Sequence, residues 1–527
     1  MGIAQVSLHN HRRRRLLKAA GGSIATLGGL SFADVADAAE RAGPAIDRDT
    51  LVVGLNAGFA NLDGVVAGTG DSDRYTLSVF DRLYAFDPSG NLTPSLATSV
   101  EVSANGLEYV YRLRSGVKFH DGSTLSAEDV KFTMEFALDP GTRSARRPYF
   151  APYVDGVDVI DPLTVRFRLK TRDGAFQNKL AGYLPIIPRR YGSGQTAIEF
   201  FARSPVASGP YRVKSLAPDG SQLELERFDG YWGRKPALKR IVFRAIKDDS
   251  NRINALLAGE IDLVEGVPAQ DFARLNANPA FAGVTNPVAA PLFVRTYTVD
   301  PALPTHHREV RQALNHAIDK DAFVKTVLHG IGEPLASGIS RHYPYGADRS
   351  LQPYPYDPAK AHALLAQAGF PRGFKTRLMI SSQFPREIAE VVAAYWSQVG
   401  VQAQIQVVDY ATWVLWNDTR RTQPMTVQMV ANAIYDPTHP VGGLYVRSGS
   451  WSDYSNPEVE RLFEQATQTV GSTARGQLFE RIDRILHDDA AAVYLSEIHR
   501  IYGRKQALAW RPTEGTAALN FIDARWS

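Results

Sequence analysis

The side chains of this 527-residue chain that could move protons or hold a metal include twelve histidines and 55 acids, with no cysteine beside them. Zero cysteines exclude disulfides, Cys-ligated zinc, iron–sulfur clusters, c-type haem attachment and a lipid anchor on a cysteine. The catalytic spacings G-x-S-x-G, Walker A, G-x-G-x-x-G and H-E-x-x-H are absent. His306 and His307 are adjacent, so they point different ways on most backbones and read as loop residues rather than ligands. His120-Asp121-Gly122 reads as turn chemistry. His439, in a Pro-bounded loop, is the one histidine expected to contact a ligand. No acid/base pair is recognisable, so no enzyme, no cofactor and no metal site is expected.

Binding side chains are easier to find. Asn56, Phe59 and Asn61 follow the first apolar strand, the end at which open α/β sheets receive ligands. Arg341 offers a guanidinium for a carboxylate. Trp413, Trp416 and Trp451 offer aromatic walls.

These groups need a scaffold, and the N-terminus says where it works. Arg12 to Lys18 is basic, Ala19 to Ala33 is uncharged and rich in Ala and Gly, and Ala36-Asp37-Ala38 is a small-x-small cleavage site. That is the layout of an export signal, 1–38, and the arginine run followed by two leucines and a lysine suggests the twin-arginine route. The stretch is short for a membrane span, where about 20 apolar residues are needed. The net charge is +4, but without residues 1–38 the balance is 54 basic against 53 acidic residues. Nucleic acid, which calls for a basic face, is therefore not expected as a partner. With no lipid-attachment cysteine, the mature chain is expected to be a periplasmic monomer.

The remainder alternates strands with helices. LVVGLN (51–56) reads as a buried strand, and YVYRLRSGVKF (109–119) as a half-exposed strand pair closed by HDGST. Ser126 and Asp129 form a capping box ahead of VKFTMEFAL. Two short strands lie around Pro162, and 241–246, 251–259 and 261–266 make a β-α-β unit. One helix is predicted over 308–330 and another over 357–369, then strand, helix and strand over 376–409. Amphipathic helices are predicted over 456–470 and 474–490. The class is α/β, with mixed sheets flanked by helices. No flexible linker is visible, so lobes joined by crossing strands are expected.

LRSGVKFHDGSTLSAEDVKFTMEFA (113–137) strongly resembles the extracellular solute-binding proteins of family 5, the receptors of ABC importers for peptides, nickel complexes and opines. SGPYRVKS (208–215), 231–266, 310–339, 354–370 and YSNPEVERLF (454–463) are similar to the same family, in order. The resemblance implies a two-lobe periplasmic-binding-protein fold, type II-like, whose large first lobe carries an extra subdomain. It implies lobe I over 39–290, lobe II over 291–495 and a return to lobe I over 496–527. It implies capture of a peptide or peptide-like solute by hinge closure and delivery to an ABC permease in the inner membrane. In peptide-binding members, W-x-A-D-Y-x-D-P lines the cleft and its first Asp pairs with the peptide's α-amine. Here that segment reads Val430-Ala431-Asn432-Ala433-Ile434-Tyr435-Asp436-Pro437, with Ala433 at the amine-pairing position. Asn432, Ala433, Tyr435 and Asp436 are the implied ligand-binding residues, and Asn432 or Asp436 is a substitute partner for an amine. The departure also admits an opine-like compound or a nickel chelate. A twin-arginine-exported hydrolase on the same fold is the distant alternative.

Overall fold

The computed structural model describes residues 48–66, 73–192, 199, 201–422, 424–516 and 518–527, so the segment expected to be an export signal, 1–38, lies outside the described residues. Its main sheet begins with β1 (Thr50–Leu55), whose Leu51, Val53 and Leu55 are fully buried. β1 is flanked by parallel strands on both sides: β2 (Arg240–Ala245) and β3 (Leu263–Glu265). Helix α1 (Asp249–Leu257) connects these two, and Asp248 starts it by accepting from the Asn251 N–H at 2.8 Å. The β-α-β unit is as expected, with β1 inserted at its centre.

Two long strands carry the sheet through the molecule. β4 (Phe281–Thr296) runs antiparallel to a late strand, Ala492–Lys505. The register shifts between Pro287 and Pro291. Neither proline can donate to the ladder, so the strand pair is weakest at that point. The first half of β4 pairs with the end of the late strand, and the second half with its beginning. Crossing strands therefore join the two parts, as the missing linker suggested.

Beyond β4, the predicted helix over 308–330 is two helices, α2 (Arg308–His316) and α3 (Lys320–Val327). Asp319 breaks it by capping α3, accepting from the Ala322 N–H at 2.8 Å. A short strand, β5 (Gly332–Pro334), pairs with the late strand at Ser496–Ile498. Then β6 (Lys375–Ser381), α4 (Arg386–Gln398) and β7 (Gln402–Val408) form a parallel crossover, with β8 (Met425–Met429) beside β6 and β4. Helices α5 (Pro457–Gln468) and α6 (Ser472–Asp488) precede the late strand, β9. A second sheet of four antiparallel strands, in the order 97–102, 108–113, 164–169 and 154–161, stands apart. The expected strand pair over 109–119 is one strand of this sheet, Glu108–Leu113. Beyond it, Lys118 and Thr124 form an isolated bridge around the Asp121-Gly122 turn. The capping box is present: the Ser126 N–H donates to Asp129 at 2.8 Å.

Apolar side chains collect accordingly. One large core draws on residues 51–263 together with Leu508, Trp510, Leu519 and Phe521 near the C-terminus. Two others draw on residues 289–495. Ile434 is the exception, coming from the second part of the chain yet buried in the first core.

Candidate functional site

Ile434 leads to the site because its segment bridges both parts. The Asn178 side chain donates to the Ile434 carbonyl at 2.9 Å, and a side chain on Gly182 would strike Ile434 and Ala433. Tyr435 comes next, in the left-handed region at φ 49°, which an aromatic residue adopts only when its surroundings hold it. Its ring lies 4.8 Å from Phe86 and its hydroxyl donates to the Glu514 carbonyl at 2.7 Å. Gly90 and Gly515 make room for the ring, since a Cβ on either would come within 2.5 Å of it. A third link ties the parts: the Gly174 N–H donates to the Thr467 carbonyl at 2.7 Å.

Beside this bridge is a cavity of about 280 Å³. Its lining includes Thr76, Phe80, Asp81, Arg82, Phe86, Tyr231, Trp232, Thr513, Thr516 and Asn520, with Ala433 and Tyr435 from the bridging loop. Asp81 is its buried carboxylate. Trp232 Nε1 donates to Asp81 Oδ2 at 2.8 Å, and Ser208 Oγ donates to the same oxygen at 3.1 Å. Burial pushes the carboxyl up to about 6, against those hydrogen bonds and the Arg82 charge. Arg114 stacks 4.6 Å over the Trp232 ring and stiffens that wall.

Of the twelve residues expected at a ligand, Ala433 and Tyr435 line the cavity. Asp436 does not. It is fully buried, and Arg475 binds both its oxygens at 2.5 and 2.9 Å. Tyr345 also donates to it at 2.6 Å and the Thr438 N–H at 2.8 Å. Despite burial, Arg475 holds the carboxyl below its ordinary range. Asp436 is thus the loop's anchor and is not free for a ligand amine. Asn432 is also consumed within the loop, donating to the Asp436 carbonyl and accepting from the Ile434 N–H.

The other expected residues lie elsewhere. Phe59 is core, edge-on to Tyr75 and Phe243. Asn61 accepts from the Asp63 N–H, a local turn. Asn56 accepts from Arg74, which in turn pairs with Glu265 at 2.7 Å. Arg341 lies 3.6 Å from Glu333, away from the cavity. Trp413 is buried and donates to Thr426. Trp416 sits on the same short helix, and Trp451 donates to Asp418. The His439 ring lies between Tyr149 and Trp451, about 6 Å from each, and burial lowers it to about 4, so it is neutral. The sequence reasoning missed Asp81, Phe86 and Trp232. Nothing in FDRLYAF (80–86) or in Tyr231-Trp232 marks them apart from core aromatics and a turn acid.

Two parts joined by crossing strands, with a cavity at a bridging loop, define a two-lobe solute-binding protein. The family model "Bacterial extracellular solute-binding proteins, family 5 Middle" matches residues 91–453, and the chain belongs to that family. The glutathione-binding protein GsiB of Pectobacterium atrosepticum is 29% identical, over 92% of this chain and 96% of its own. The periplasmic binding protein DppA of Helicobacter pylori, solved with the peptide STSA, superposes with a TM-score of 0.77 at 24% identity, covering 90% of this chain and 98% of its own. AgaA of Agrobacterium tumefaciens R10, solved with agropinic acid, gives 0.74 at 25% identity, covering 91% and 99%. Among the described residues, no helix is long and apolar enough to cross a membrane.

Proposed function

We propose that this protein is the periplasmic receptor of an ABC importer and that it captures a short peptide, of the size of glutathione, in the cavity beside Tyr435. It performs no catalysis, works as a monomer and hands its solute to an inner-membrane permease. Residues 1–38 direct export by the twin-arginine route. Lobe I is built from 39–290 and 496–527, and lobe II from 291–495.

The observation that carries the ligand reading is Asp81. A buried ammonium needs an anionic partner, and Ala433 cannot supply one. Asp81, in the lining of the same cavity, supplies a carboxylate that burial raises and that a ligand cation would bring back down. Phe86, Tyr231 and Trp232 give apolar faces for the peptide's stem. The volume suits a small ligand, near the low end of the roughly 300–1,000 Å³ of ligand pockets.

Ala433 favours a second reading, a solute without a free α-amine such as an opine-like compound or a nickel chelate. Native mass spectrometry of the protein purified without denaturation decides between them. Adducts of two- to three-residue peptides, confirmed by titration with glutathione, support the first reading. A single non-peptide mass with no peptide binding overturns it.

A further inference from the structure

The spacing of the histidines suggests no metal site, yet two of them meet where the lobes cross. The rings of His342 and His499 lie 6.2 Å apart at 77°. Glu333 joins them: one donor atom from each of the three lies within 4.8 Å of the others. The backbone explains the meeting. Glu333 on β5 is directly opposite Glu497 on β9, and alternate residues of a strand share a face, which brings His499 to the same side. The loop after β5 folds back over that face. It is pinned there by the Arg341 N–H, which donates to Glu497 Oε1 at 3.1 Å, and by the His342 N–H, which donates to Ser340 Oγ at 3.2 Å.

We infer that Glu333, His342 and His499 bind a divalent first-row transition ion, of which Zn²⁺ and Ni²⁺ are the best fits. Two imidazoles and one carboxylate with a fourth position open are a donor set for such ions. His342 Nε2 is buried and has no hydrogen-bond partner among the described residues. His499 Nε2 lies 3.5 Å from Glu333 Oε1. Tetrahedral ligands sit roughly 3.3 Å apart when each is about 2.0–2.1 Å from the ion, so the three side chains must draw in slightly. Glu333 has the freedom to do so, being 38% exposed. Its present partner Arg341, 42% exposed, swings aside when an ion replaces it. The charges facing the site are Arg341, Arg349 and the carboxyl of Glu497.

None of the three residues lines the cavity, so the site stands whatever the solute is. Its placement gives it a role. His499 is opposite Pro287, where the β4 ladder is interrupted, while Glu333 and His342 belong to the second lobe's side. An ion there ties the second lobe to the crossing strand and restrains the hinge.

The test is calorimetric titration of the chelator-treated, solute-free protein with Zn²⁺ and, separately, Ni²⁺. One site is expected, weakened at least tenfold by His342→Ala and by His499→Ala, and unchanged by His362→Ala on an exposed helix face. Unweakened binding in the folded double variant His342→Ala/His499→Ala overturns the proposal. If the variants do not fold, Co²⁺ added to the unsubstituted protein answers instead. The visible bands of a four-coordinate nitrogen–oxygen site are expected, and their absence overturns it.

Discussion

Arg475 and Asp436 form a buried two-pronged ion pair, with nitrogen–oxygen distances of 2.5 and 2.9 Å and neither residue exposed. The pair fastens the bridging loop to α6, and the loop in turn carries Ile434 and Tyr435 into the first lobe. The one acid that the family motif keeps in this loop is therefore a fastener, and the ligand's partner must be sought in the cavity lining.

Asp436→Ala should cost stability rather than specificity. It leaves a buried guanidinium without its counter-charge, a loss of about 3–5 kcal/mol. Because Arg475 holds Asp436 below its ordinary range, the pair's contribution is fully present above about pH 4 and is lost as pH falls through the lowered value. Urea melts of the variant and the parent at pH 7 and pH 3 measure this. The gap should be smaller at the second than at the first.

Asp81→Asn should have the opposite sign in the solute-free protein. A carboxyl raised to about 6 in the fold, against about 3.9 unfolded, opposes folding once it ionises. The parent loses stability as pH rises from about 4 to 6 through this group, and the asparagine variant does not. Thermal melts should show the variant ahead at pH 7.5, with the difference gone by pH 4. Equal melting at pH 7.5 would mean that Asp81 has no such penalty.

The same substitution should weaken peptide binding at least tenfold, since it removes the partner of a buried cation. Ala433→Asp added to it should restore binding, because it returns a carboxylate to the cavity lining. Glutathione titrations of the parent, the single variants and the double variant make the comparison. No recovery in the double variant would argue that the amine is not held in this cavity.

Gly515→Ala should loosen the bridge. The added methyl meets the Tyr435 ring at 2.5 Å, in a residue whose φ of +74° already disfavours a side chain. A larger radius of gyration in solution scattering, with little change in circular dichroism, is expected. Tyr435→Phe, which loses only the hydrogen bond to Glu514, should shift it less.

The sequence was most informative where a single residue sets the local geometry. Asp129 and the Pro162 turn mark their elements, and the β-α-β unit around β1 is legible from apolar runs of the right length. The helix over 308–330 misled because its apolar spacing continues across Asp319, and only the cap shows the break. The candidate site was legible as a segment but not as residues. Ala433 and Tyr435 fell within the family motif, whereas Asp81, Phe86 and Trp232 lie some 200–350 positions earlier in the chain and reach the cavity through the fold. Likewise, Glu333, His342 and His499 carry no common spacing. Strand pairing and the loop that folds back after β5 bring them together.

The pairing of β4 with β9 also dictates when the molecule can be finished. Phe281 is opposite Lys505 and Arg295 is opposite Ala492, so the central ladder joins segments about 200 residues apart. Closing so long a loop is slow to nucleate. During synthesis, the main sheet stays incomplete until Ala492–Lys505 emerges. A chain stopped before Ala492 would leave β3, β4 and β5 all facing an unpaired edge. Completion of both lobes thus waits for β9, and the crossing strands are among the last pieces to pair.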